Sequence, residues 1–300
     1  MAEQQRPEKK IGRRRILKGL FYGAAGGTLA LLLDGFFIEP QWVQTVRVNL
    51  PLAGLDPAFA GKRLVHISDL HCSDVVGEPF LVRCMDRVSA LAPDIVVITG
   101  DYITNHDSRR IKTVLKILER ISCPLGVYAV FGNHDYGIWG PDQQIVRHSL
   151  SPFLDGMAAG NIHALHNSSA PITLSGQRLW MVGLGDLWAN DCLPAQAFLN
   201  VPPDEPRLVL VHNPDAVDCL AGYRADAALC GHTHGGQVRI PFYGAPVLPI
   251  RNRQYSAGLY HADNGLLYVN RGLGRLASAR GRVRFNCRPE ITVFTLQMRQ

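Results

Sequence analysis

The chain has 300 residues, 47% hydrophobic and 19% charged, which suits one large globular domain with a short appendage. Its net charge of +6 is concentrated: residues 1–18 hold seven Lys/Arg and two Glu, while the other 282 residues carry 24 basic and 23 acidic side chains, which argues against nucleic-acid binding by the domain. Seven cysteines, odd in number and without a Cys-x-x-Cys pair, speak against a zinc ribbon and a disulfide framework.

Arg13-Arg14-Arg15-Ile16-Leu17-Lys18 precedes the uncharged residues 19–33, a basic segment ahead of an apolar one, as in targeting sequences. The paired arginines read as a twin-arginine-like export signal. Residues 19–33 alone fall short of the roughly 20 apolar residues a spanning helix needs, and residues 35–38 extend them past Asp34. No small-x-small cleavage site follows, so residues 1–38 are expected to stay as an anchor that meets the membrane through residues 19–38. The positive leader puts the amino terminus inside and the domain on the outer face of a bacterial inner membrane. Residues 39–61, with Pro40, Pro51 and Pro57, are expected as an extended arm, and residues 62–300 as the domain.

The domain opens with a strand, 63–68, that ends at Asp69-Leu70-His71. A helix over 79–91 spaces Phe80, Leu81, Cys84, Met85 and Val88 on one face. The apolar strand 95–99 ends at Gly100-Asp101, a helix over 108–121 follows, and the apolar run 127–131 ends at Gly132-Asn133-His134-Asp135. Apolar strands alternating with helices predict a parallel or mixed sheet covered on both faces. After a helix near 143–159, short strands are expected at 162–165, 171–174 and 178–184. The strand 208–211 ends at His212, and 227–230 ends at Gly231-His232-Thr233-His234. Strands at 238–240, 266–270 and 291–296 are expected to complete a second sheet. The fold class is therefore α/β, two mixed sheets packed face to face with helices outside.

Five strand tips thus present Asp69 and His71, Asp101, Asn133 with His134 and Asp135, His212, and His232 with His234. Ligands collect outside the carboxyl ends of strands in α/β sheets, so these groups are expected to converge. Carboxylates, an amide and imidazoles without thiolates suit manganese, iron, zinc or cobalt. Seven ligand candidates are too many for one ion and suit two that share a bridge, for which Asp101 is the natural residue.

With these motifs in order, the chain resembles the calcineurin-like metallophosphoesterase superfamily over residues 62–298, and more narrowly the YaeI/YkuE-type membrane-associated phosphodiesterases. Gly185-Asp186-Leu187-Trp188-Ala189, Val211-His212-Asn213-Pro214-Asp215 and Asn286-Cys287-Arg288-Pro289-Glu290 carry part of the narrower match. The resemblance implies a four-layer α-β-β-α sandwich and a phosphodiesterase with two divalent ions, manganese, iron or zinc. Asp69, His71 and His234 would hold one ion, and Asn133, His212 and His232 the other, with Asp101 between them. His134 would be a catalytic histidine paired with Asp135. The substrate would be a phosphate ester, in the alternative a lipid-linked nucleotide such as UDP-2,3-diacylglucosamine, whose hydrolysis would require a cytoplasmic site. A metal-bound interaction module without turnover has no need of His134. Six arginines between 271 and 288 read as a solvated face or an anion clamp, with Arg271 the best candidate for substrate phosphate. Trp180, Trp188 and Phe242 read as core residues, and Trp42 as core or an interfacial aromatic.

Overall fold

Two six-stranded sheets lie face to face, because their strands are apolar on both sides and each must be covered twice. The computed structural model describes residues 13–104, 107–140, 147–263, 265–276 and 282–299. In chain order, helix α1 (Arg13–Leu33) leads into β1 (Gln44–Leu52), β2 (Arg63–Ile67), α2 (Glu78–Ala90), β3 (Ile95–Thr99), α3 (Ser108–Leu118) and β4 (Val127–Val130). Then come α4 (Ser151–Ala159), β5 (Ile162–Ala164), β6 (Ser168–Leu174), β7 (Gln177–Gly183), α5 (Pro194–Ala197) and β8 (Arg207–Leu210). The chain closes with β9 (Ala227–Cys230), β10 (Gly258–Ala262), β11 (Gly265–Val269) and β12 (Glu290–Met298).

The first sheet runs β1-β12-β2-β3-β4-β5 and the second β10-β11-β9-β8-β7-β6. Between them sit Leu64, Val97 and Val130 from one side and Met181, Leu210 and Leu229 from the other. The outer face of the first sheet packs Val65, Val96 and Ala129 against Leu81, Val114 and Phe153 of the helices. Val182, Val209 and Leu267 pack outside the second sheet against Ala197 and Leu220. The result is the four-layer α/β sandwich. β2, β3 and β4 are parallel, as are β7, β8 and β9, so each group delivers its carboxyl ends to one edge.

Two expectations are corrected. The segment 291–296 belongs to the first sheet, where β12 lies between β1 and antiparallel β2. Residues 238–240 form only isolated bridges, and β10 takes the sheet edge instead. Within 39–61, β1 pairs in parallel along the whole of β12 and buries Leu50, Leu52 and, beyond it, Phe59. Residues 141–146, the residues before 13 and Arg280 lie outside the described residues, so the start of the helix expected near 143 is not among them.

α1 continues through a π turn (Asp34–Ile38) and a 3-10 turn (Glu39–Gln41), and the stretch Leu17–Gln41 is long and apolar enough to cross a membrane. Its junction is fastened to the domain. Arg284 N donates to Gly35 O at 3.0 Å, and buried Glu39 accepts from Asn286 N at 2.8 Å and from Cys287 N.

Candidate metal centre

Each strand end turns sharply once its apolar run is spent. Asp69, His71, Asp101, His232 and His234 all take left-handed backbone angles, with φ between 48° and 70°. Such angles are uncommon outside glycine, and a cluster of them marks a site where the fold holds side chains in a demanded direction. The neighbouring glycines make the room. A Cβ on Gly132 would lie 2.2 Å from Asp101 Oδ1, and one on Gly231 would lie 1.9 Å from Ser68 Oγ and 2.3 Å from Asp69 Oδ2.

These turns bring the seven ligand candidates and His134 together in a buried cluster. His71 Nε2 and His234 Nε2 are 3.0 Å apart, and His234 Nε2 is 3.4 Å from Asp69 Oδ1. His212 Nε2 lies 3.2 Å from His232 Nδ1. One oxygen, Asp101 Oδ2, is 3.2 Å from His212 Nε2 and 3.4 Å from His71 Nε2. The outward nitrogens fix the rings: His212 Nδ1 donates to Thr99 O at 2.7 Å and His232 Nε2 to Pro249 O at 3.1 Å, so that Nε2 of His212 and Nδ1 of His232 turn inward. Asn133 Nδ2 donates to Ile138 O, and among the described residues Asn133 Oδ1 is buried without a partner. An orphaned buried amide oxygen is costly in a protein interior, and a divalent cation satisfies it together with the inward imidazole nitrogens. The donors fit such ions.

The charges agree. Burial would raise the carboxyl of Asp101, yet the positive charge of His212 and its hydrogen bond hold it well below the usual range. His212 is pushed up to about 10, the Asp101 carboxylate outweighing burial. Burial pushes His71 and His232 down to about 3 and His234 well below its ordinary value, so these rings present free lone pairs at neutral pH. Burial, helped by Asp101, raises Asp69 to about 6, against the pull of His212.

A family model for the calcineurin-like phosphoesterases matches residues 62–236, across every one of these strand tips. The chain is a calcineurin-like phosphoesterase. Membership makes it a metal-dependent phosphohydrolase. The phosphoesterase is 32% identical to the metallophosphoesterase YkuE of Bacillus subtilis strain 168 over 295 residues, covering 96% of this chain and 99% of YkuE. It is 31% identical to the phosphodiesterase YaeI of Escherichia coli K12, covering 95% and 99%. It is also 30% identical to the UDP-2,3-diacylglucosamine pyrophosphatase LpxG of Chlamydia trachomatis, covering 85% and 89%.

One sequence assignment in the phosphoesterase needs correction. Asp135 does not pair with the ring of His134. Its carboxylate accepts the backbone N–H groups of Asp101, Tyr102 and Gly132, each at 2.9 Å, and so clamps two strand tips together. His134 Nδ1 instead donates to Thr104 O at 3.1 Å. Arg271 Nε is ion-paired with Glu290, and its Nη2 donates to Gln44 at 3.0 Å, so the fold holds its guanidinium in place. Three other arginines of the cluster also knit the loop. Arg275 Nη1 donates to Phe36 O and Arg282 O, Arg288 lies over Trp42, and Arg284 is fully buried, bonding the carbonyls of Arg271, Gly272 and Gly274 beside His234 Nδ1.

Sequence reasoning missed the residues that hold the ligand candidates. Thr104 accepts from His71 Nδ1 with its hydroxyl and from His134 with its carbonyl, a double duty no motif announces. Trp188 is half-buried, not core, and its ring meets His232 edge-on with centroids 4.5 Å apart; Trp139 meets His134 the same way at 4.7 Å. Trp180 is core, Trp42 is half exposed, and Phe242 is wholly exposed.

Proposed function

We propose that this phosphoesterase is a two-metal phosphodiesterase tethered to the outer face of a bacterial inner membrane by its amino-terminal helix. The shared oxygen of Asp101, between His71 and His212, carries the two-ion reading. Asp69, His71 and His234 would hold one ion and Asn133, His212 and His232 the other. The imidazole, amide and carboxylate donors suit manganese, iron or zinc. When bound, a two-ion pair supplies an activated water and charge stabilisation on phosphorus. The chain's own residues do the rest. Thr104 O holds the His134 proton at Nδ1, so Nε2 is the nitrogen free to exchange a proton with the leaving oxygen. Asp135 holds the tips that carry Asp101 and Asn133 in register. Trp139 and Trp188 wall the two sides and limit water at the histidines.

The tether rests on the apolar length of Leu17–Gln41 and on the exposure of the described side chains of α1. The likeness to LpxG supports a second reading, a lipid-linked nucleotide as substrate with the domain on the cytoplasmic face. Hydrolysis of bis-para-nitrophenyl phosphate and of UDP-2,3-diacylglucosamine by the full chain in detergent with manganese separates the two. Turnover of the diester alone supports the phosphodiesterase. Faster turnover of the lipid nucleotide overturns it in favour of the second reading. Asp101→Asn should abolish both turnover and stoichiometric metal, and near-normal turnover by that variant would refute the shared oxygen.

A further inference from the structure

The loop after the last metal-ligand candidates leaves the centre at His234 and returns at Pro249, the carbonyl partner of His232. Between them Ile240 and Gly244 bridge, and the N–H groups of Tyr243 and Gly244 both donate to Ile240 O. This tight turn holds Phe242 at φ 65° with its ring entirely in solvent, an angle that an aromatic residue adopts only against strain. Ile240, Tyr243 and Val247 are 46%, 72% and 72% exposed around it. A rigid turn that presents four large apolar side chains marks an interaction surface.

Two observations identify the occupant. No acidic residue occurs between Asp226 and Asp263; Arg251 of that stretch is paired with Asp215 and Asp218, while among the described residues Arg239 and Arg253 bond only backbone carbonyls and a serine hydroxyl, so the turn keeps an excess positive charge that disfavours a second copy of itself. The turn is also joined to the end of the apolar helix. Val238 bridges Phe285, Arg239 N donates to Phe285 O at 2.9 Å, and the adjacent Arg284 N donates to Gly35 O. A cleft of about 600 Å³, lined by Leu187, Trp188, Pro249, Ile250 and Arg251, opens beside His232 at the far end of the same loop.

We infer that residues 240–247 are a second membrane contact, inserting Phe242 and its neighbours at the headgroup–acyl boundary of an anionic bilayer. The inference rests on the tethered reading above. A single helix lets the domain swivel; a second contact fixes its orientation and holds the cleft against the lipid surface, so that diesters embedded in the bilayer enter from that side. Tyr and Phe suit the boundary and arginines suit headgroup phosphate.

The test uses the full chain and its Phe242→Trp variant in vesicles of equimolar phosphatidylcholine and phosphatidylglycerol. The native tryptophans are a constant background, so the variant-minus-parent emission reports the loop. Dibrominated phosphatidylcholine should quench that added emission about twofold or more. Flotation of the parent chain is read alongside: a chain that does not float overturns the tether and this inference together. A chain that floats, with added emission indifferent to bromine, overturns the loop contact alone. Indifferent but blue-shifted emission in a chain that sediments as a dimer assigns the turn to a second copy and likewise overturns it. Phe242→Ser should leave soluble diester turnover within about twofold and lower turnover of a vesicle-embedded diester about tenfold. Equal losses on both would overturn the orienting role.

Discussion

His134 and His212 are both buried beside Asp101, and their surroundings give them opposite protonation. His212 Nε2 shares the Asp101 carboxylate at 3.2 Å and keeps its proton to about pH 10; burial lowers His134, with Asp101 opposing. An ion at the centre must displace the His212 proton, because its inward nitrogen cannot hold both. The sign follows. Between pH about 6 and about 10 uptake should release one proton and affinity should rise with pH; below about 6 the Asp69 proton adds to it and the slope steepens. Calorimetric titration of metal-free protein in buffers of differing ionisation enthalpy at pH 8 measures the release, and a value near zero would remove the His212–Asp101 ion pair from the argument. His134→Ala should keep two metals per chain and cut kcat by roughly 10²–10⁴. Loss of a metal in that variant would make His134 a ligand. The residue types at the centre were legible because each ends an apolar run. The Asp135 assignment failed because adjacency in sequence says nothing about which way a carboxylate faces: three backbone N–H groups reach it before the imidazole does.

At the scale of elements, the glycines at the strand tips are as much a part of the centre as the ligand candidates. Gly231 lies where a methyl group would strike both Ser68 and Asp69. Gly231→Ala should push the Asp69 carboxylate aside by about an ångström, a displacement that costs about 100-fold in turnover. Far-UV circular dichroism should stay unchanged, and full activity in this variant would show that the tip can relax around the methyl. The apolar runs 95–99 and 227–230 announced β3 and β9, since continuous burial on two faces leaves no other pattern. Sheet membership was not legible for 291–296: an apolar run of Ile, Val, Phe and Leu with two threonines fits either sheet. Only the pairing of β12 with β1 and β2 decides it.

Across the whole molecule, the junction between α1 and the domain is a structural joint and not a linker. Glu39 accepts two backbone N–H groups next to Cys287, whose Sγ lies 3.1 Å from His234 O, so the helix end and the centre share one packed loop. A chain of residues 34–300 keeps this joint, whereas 43–300 removes it. Bonds to a charged carboxylate contribute about 1.5–3 kcal/mol each, so the shorter chain should melt roughly 5–10 °C lower. Equal melting temperatures by calorimetry would make Glu39 dispensable.

The sequence alone determined the order of the strands that carry function and the ligand types at their tips, because periodicity and the abrupt end of an apolar run are local properties. It also carried the signature that led to the family. Only tertiary structure decided what those tips do for one another. The shared oxygen of Asp101, the carbonyls that orient His212 and His232, the clamp formed by Asp135 and the arginines spent on the loop all join residues far apart in the chain. Hydrogen bonds and burial at such distances follow from how the two sheets face each other, and no stretch of sequence contains that information.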